Sequence, residues 1–156
     1  MEWTTLKFGK HEGKTLPQVL FTDPDWFFWA IEKKIFKSEA LKIEADELFW
    51  KAQNILIPRS DRESYEVEYF IHPSYNTFSH FTIVPKDRPK HVGSSETIRL
   101  TVINMRAPRI YGKYEKSAFK RLLKCLKLEF FGDKSHRMNQ ARCEDFFNDD
   151  SKFAAK

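Results

Sequence analysis

Apolar positions along this chain change their period twice, from helical to alternating and back to helical. Between Ser38 and about Ile55, the residues Leu41, Ala45, Leu48, Phe49, Ala52 and Ile55 recur in helical steps, while Glu39, Lys42, Glu44, Asp46, Glu47 and Lys51 cover the other side. That spacing predicts an amphipathic helix, with Ser38 as its cap and Pro58 beyond its end. From Tyr65 to His72 the pattern alternates, with Tyr65, Val67, Tyr69 and Ile71 on one face, which predicts a strand. Phe78–Val84 and Thr97–Asn104 read the same way, separated by the turn Pro73-Ser74-Tyr75-Asn76 and by a Pro- and Gly-containing loop over 85–95. The three strands predict an antiparallel meander with one face covered by helices. After an irregular stretch, Phe119, Leu122, Leu123, Leu126 and Phe130 mark a helix over Tyr114–Phe131, stopped by Gly132. A short helix over 138–148 turns Ala141, Phe146 and Phe147 inward, and the tail from Asp149 is expected to fray.

The first forty residues are denser in turns and rings. Residues 4–16 predict a β-hairpin around Gly9 and Gly13, with a short helical turn at Leu16–Leu20. Asp23 then reads as an N-cap, Pro24 as the first helical residue and Asp25 as an acid near the positive helix end. The helix is expected to run to Phe36, with Trp26, Phe27, Trp29, Ala30 and Ile31 partly buried. Polar Arg59–Ser64 separates a first part, 1–58, from a second, 59–156. The fold class is α+β, with an N-terminal hairpin and two helices, then a three-stranded antiparallel sheet, a long amphipathic helix and a short final one. A three-stranded sheet with one helix has little core of its own, so the two parts are expected to share an interface.

The run Phe8-Gly9-Lys10, Gly13-Lys14, Thr15-Leu16, Asp23-Pro24 and the ring cluster ending at Trp29 resembles the small accessory domain at the C-terminus of exonuclease X-like bacterial proteins. That domain also occurs alone in bacterial and phage proteins. The resemblance covers residues 3–37 and does not extend to the second part. It implies association with nucleic-acid processing. In such proteins the nuclease carboxylates belong to a separate domain, which is not visible in this chain.

Charge sharpens this picture. The chain carries a formal net charge of +5, yet residues 106–142 hold eleven Lys or Arg against three Asp or Glu. Lys113, Lys116, Lys120, Lys124 and Lys127 step by three or four, so a helix would align them in one cationic stripe. Such a stripe neutralises phosphates and gains affinity from counterion release. Arg106 and Arg109 precede it and offer planar forks to phosphate. Lys10, His11 and Lys14 crowd the first turn and form a second candidate contact. Tyr111 and Tyr114 lie inside the basic segment, where rings either stack on unpaired bases or seal a core edge.

Other chemistries find little purchase. No Walker-type or dinucleotide glycine pattern is present. Pro24-Asp25 with Glu32-Lys33-Lys34 imitates a nuclease motif, but both acids fall on one helix, whereas that chemistry needs acids converging on a metal. Glu66 and Glu68 share a strand face that reads as solvent-facing, and His72 and His80 are read as structural. Cys125 and Cys143 show neither disulfide framework nor metal spacing. No segment reads as a secretory signal or a membrane span. The sequence therefore predicts a cytoplasmic, cofactor-free, non-enzymatic nucleic-acid accessory protein, with DNA ahead of RNA as partner. The alternative is a protein-interaction module that inhibits or adapts a nucleic-acid enzyme.

Overall fold

The computed structural model describes residues 1–156, an α+β fold of six helices with a three-stranded and a two-stranded sheet. The chain enters through a loop. The expected hairpin over 4–16 is reduced to one backbone pair: Leu6 N–H donates to Lys14 O at 2.9 Å and Gly13 N–H to Leu6 O at 2.8 Å. Tight turns consume the residues between, because Glu12 N–H returns to Gly9 O and Lys14 N–H to His11 O. Three helices follow: α1 (Leu16–Thr22), α2 (Pro24–Glu32) and α3 (Glu39–Ala52). The Asp23 carboxylate caps α2 by accepting from Trp26 N–H at 3.3 Å, and Ser38 Oγ caps α3 by accepting from Leu41 N–H at 3.2 Å. Helix α2 stops short of the expected Phe36. Lys34 adopts φ 53°, and Ile35 N–H reaches back to Ala30 O, which is a left-handed helix ending with lysine where glycine is usual.

Strand β1 (Ile55–Leu56) pairs with β5 (Val102–Ile103), while β2 (Tyr65–Ile71), β3 (Phe78–Pro85) and β4 (Glu96–Leu100) form the main sheet. Its order is β3-β2-β4, not the expected meander, and β2 lies antiparallel to both neighbours. Strands β3 and β4 consequently run parallel to each other. Strand β3 ends opposite Tyr65, at one end of β2, and β4 begins opposite Ile71, at the other. The intervening residues must run back along the whole strand, and they do so over the outer face of the sheet. Arg99 fastens them, donating from Nη1 to Arg88 O at 2.7 Å and from Nη2 to Pro89 O at 3.0 Å, while its Nε holds Glu68 at 3.0 Å. His91 meets Phe70 edge-on beneath this strap. Glu68 is therefore buried and ion-paired, not solvent-facing. His72 and His80 do not face one another either, since the partner of His80 across the ladder is Phe70.

The remaining helices are α4 (Ala107–Ile110), α5 (Ala118–Phe131) and α6 (Gln140–Asn148). Helix α5 begins four residues later than Tyr114 because the preceding segment is occupied elsewhere: Lys113 N–H bonds Asn76 O, and Tyr114 is drawn to α2. Its apolar stripe packs on β3, and Gly132 at φ 71° ends it as expected. One core of 32 buried residues runs from Trp3 to Phe153 and draws on both parts of the chain. Phe28 of α2, for instance, contacts Phe119 of α5, and Phe21 of α1 contacts Phe146 of α6. Full burial of rings such as Phe27 and Phe28 contributes roughly 1.5–3 kcal/mol each. The tail is docked rather than frayed: Phe153 is buried against Phe147, and Ala154 N–H donates to Asn54 O at 3.0 Å.

Candidate nucleic-acid interface

The two basic segments read separately in the sequence meet in space. Lys10, His11 and Lys14 of the N-terminal turn and Lys116 and Lys120 at the start of α5 line one pocket of about 580 Å³. Phe119 and Leu123 form its apolar floor, and Asp23 is its single carboxylate. Fold geometry explains the meeting. Helix α2 packs beside α1 and also touches Phe119, so the loop before α1 is brought against the first turn of α5. The positive end of the α5 dipole opens at the same place, and Ser117 puts no side-chain cap on it.

Asp23 organises the near wall. Its carboxylate meets Lys10 Nζ at 3.0 Å and His11 Nε2 at 2.9 Å while also capping α2. Burial raises its pKa, but hydrogen bonds from Lys10, His11 and Trp26 N–H outweigh that and hold the carboxyl below its ordinary value. The hydrogen bond and charge of Asp23 in turn raise the Lys10 ammonium, which stays charged. His11 is buried, with its ring edge-on to Trp26 at 5.1 Å. It holds the wall in shape instead of offering a free imidazole to a ligand, which corrects the expectation of an open contact at His11.

The far wall continues along α5. Lys116, Lys120 and Lys124 are exposed at four-residue steps and form no ion pair within 4 Å. Lys127 is half-buried and lies near Cys143 of α6. Lys113 is exposed but precedes the helix, in a bridge to Thr77, so it stands off the stripe. Arg121 turns inward, donating to the backbone oxygens of Phe78 and Ser79 and to Glu115.

Arg109 does not stand free as a phosphate fork. Arg109 pairs with Asp25 at 3.1 Å and Glu32 at 2.9 Å, and its guanidinium lies over the Tyr114 ring. Tyr114 O–H donates to Asp25 as well; burial and this carboxylate push its phenol up. The two acids of the nuclease-like sequence thus converge on a guanidinium and lock α2 to the segment before α5. Arg106 rests on the Phe49 ring, and its Nε is buried without a hydrogen-bond partner. Tyr111 packs against Tyr69 in the core. Of the rings on α2, Phe27 and Phe28 are buried, while Trp29 is 40% exposed. The sequence reading has Trp29 partly buried; on the helical wheel it sits on the side of Trp26 and Lys33, away from Phe27 and Phe28.

No group of three or more His, Cys, Asp or Glu side chains is arranged as a metal site. Burial pushes both thiols up, Cys143 to about 12, and leaves them poor nucleophiles. No helix is long and apolar enough to cross a membrane. Comparison with protein-family models, with curated proteins and with solved structures gives no match for this chain.

Proposed function

We propose that this chain is a non-enzymatic nucleic-acid accessory protein of bacterial or phage type, holding phosphates in the lysine pocket between the N-terminal turn and α5. The carrying observation is the convergence of Lys10 and Lys14 with Lys116 and Lys120 on one pocket with a single carboxylate. Asp23 is already committed to Lys10 and His11, so the other ammonium groups lack a counter-charge and need one from a ligand. Lys124 extends the contact along α5 and Lys127 ends it. The resemblance of residues 3–37 to the exonuclease X-like accessory domain points the same way, toward a chain that accompanies nucleic-acid chemistry performed elsewhere.

Fluorescence anisotropy with labelled DNA and RNA at several salt concentrations tests this reading. Four phosphate contacts give a slope of log K against log salt of about −3 to −4. Joint reversal of Lys116, Lys120 and Lys124 to Glu is expected to abolish binding. Salt-insensitive binding, or none at low salt, overturns the reading and favours a protein partner.

A further inference from the structure

Beside the lysine pocket lies a cluster of rings in which Trp29, Phe8 and half-buried Trp26 reach the surface, while Phe36 and His11 are buried beneath them. Trp26 is its centre, with its ring 5.1 Å from His11, 6.3 Å from Trp29 and 6.0 Å from Phe36. Phe36 touches Phe8 at 6.5 Å. At the two ends of this cluster Trp29 is 40% and Phe8 36% exposed. The neighbours of Trp29 in the same helix show that burial was available: Phe27 and Phe28 are sealed completely. His11 lines the pocket and packs edge-on against Trp26, so the rings and the ammonium groups are neighbours joined through a buried imidazole.

The border of the cluster is basic. Lys7, Lys33, Lys34 and Lys37 are exposed and have no acid within 4 Å, while the nearby Glu32 is taken by Arg109. Rings edged by unpaired ammonium groups suit a ligand that alternates flat apolar faces with anions. An unpaired nucleic-acid strand is built that way; a duplex hides its base faces in its own stack and offers an exposed indole nothing to cover. An apolar protein segment would cover the rings but leave the lysines uncompensated.

We propose that Trp29, with Trp26 and Phe8, is a stacking platform for unpaired bases, and that the preferred ligand is a single strand or a single-stranded end whose phosphates enter the adjoining pocket. This rests on the phosphate-binding reading above and adds strandedness to it. Trp29 provides the most open ring face. Trp26 is fixed between His11 and Phe36 and acts as its backing.

The test is anisotropy binding of a 5′-labelled oligo-dT and of a mixed-sequence duplex of equal length. It compares the wild-type chain with Trp29→Ala, Trp29→Phe, Phe8→Ala and the double variant Lys116→Glu/Lys120→Glu. Trp29→Ala is expected to weaken oligo-dT binding about tenfold or more and to leave duplex binding and the salt slope unchanged. Trp29→Phe retains most of the affinity, since a ring remains. Oligo-dT quenches tryptophan fluorescence in the wild type, and that quenching falls in Trp29→Ala. Trp29 is exposed, so these variants fold, and circular dichroism checks it. Salt-sensitive binding of both probes that Trp29→Ala leaves untouched, or weakens equally, overturns the platform and leaves the phosphate pocket standing. Absence of binding to either probe at low salt overturns both.

Discussion

The imidazole of His11 and the carboxylate of Asp23 meet at 2.9 Å on the floor of the first turn, and Lys10 closes on the same oxygen from the solvent side. One carboxylate thereby fixes the wall of the candidate pocket and starts helix α2. The contact links local chain geometry directly to the placement of the basic groups.

That carboxylate gives the fold a defined acid sensitivity. Its folded pKa lies below the free value of 3.8, so on acidification the unfolded chain takes up the proton first. The stability it supplies is complete above that free value and is lost as the pH falls through the lower, folded pKa. Urea midpoints of the wild type and Asp23→Asn, compared at ~pH 5 and ~pH 3, are expected to converge at the lower pH.

Arg109 separates stability from binding. It bridges Asp25 and Glu32 from a site where its own side chain is 14% exposed. Arg109→Ala leaves the Asp25 carboxylate short of its main partner and is expected to cost about 3 kcal/mol in denaturant unfolding. The folded variant keeps the nucleic-acid affinity of the wild type in anisotropy titrations, in contrast to Lys116→Glu.

Arg99 is the fastener of the strap between β3 and β4. Arg99→Ala removes its three attachments and strands the buried Glu68 charge. Limited trypsin digestion is expected to cut at Lys86 and Lys90 about tenfold faster in the variant, with the rest of the chain protected at first.

Two backbone positions predict opposite signs. Gly112 has φ +75°, and a Cβ there would lie 2.6 Å from Asn76 O, so Gly112→Ala is expected to lose about 2 kcal/mol or more. Lys34 has φ 53° with a side chain, so Lys34→Gly is expected to gain about 0.5 kcal/mol, the left-handed strain relieved exceeding the added chain entropy. Thermal melts of the two variants read both effects.

The period of Phe119, Leu122, Leu123 and Leu126 made α5 legible, and the alternation in Tyr65–Ile71 made β2 legible, because each reports which face meets the core. Strand order was not legible. An antiparallel neighbour on either side of β2 imposes the same alternation, and only the path of residues 86–95 decides between them. The lysines of α5 were readable as a stripe, since spacing alone aligns them. The fate of Arg109 was not, because its acids lie 84 and 77 positions away and are brought to it only by packing. The meeting of Lys10 with Lys116 was unreadable for the same reason, although both groups had been singled out. Trp29 was read as partly buried together with Phe27, and spacing alone did not single it out as the ring that α2 leaves most open.

The ends of the chain interlock, and this sets the order in which the molecule can be assembled. Trp3 donates from its indole to Asn148, 145 positions away, and Trp50 does the same to Ala154 O, 104 positions away. Ile55 bridges to Phe153 across nearly as long a stretch. The hairpin of β2 and β3 needs only neighbouring residues and can form early, but the shared core cannot close until the segment holding Phe146, Phe147 and Phe153 has been synthesised. Until then the apolar faces of α1 and α3 stay wet. Long-range contacts of this kind slow closure, and a chain interrupted before Phe146 leaves apolar faces open to chaperones and proteases.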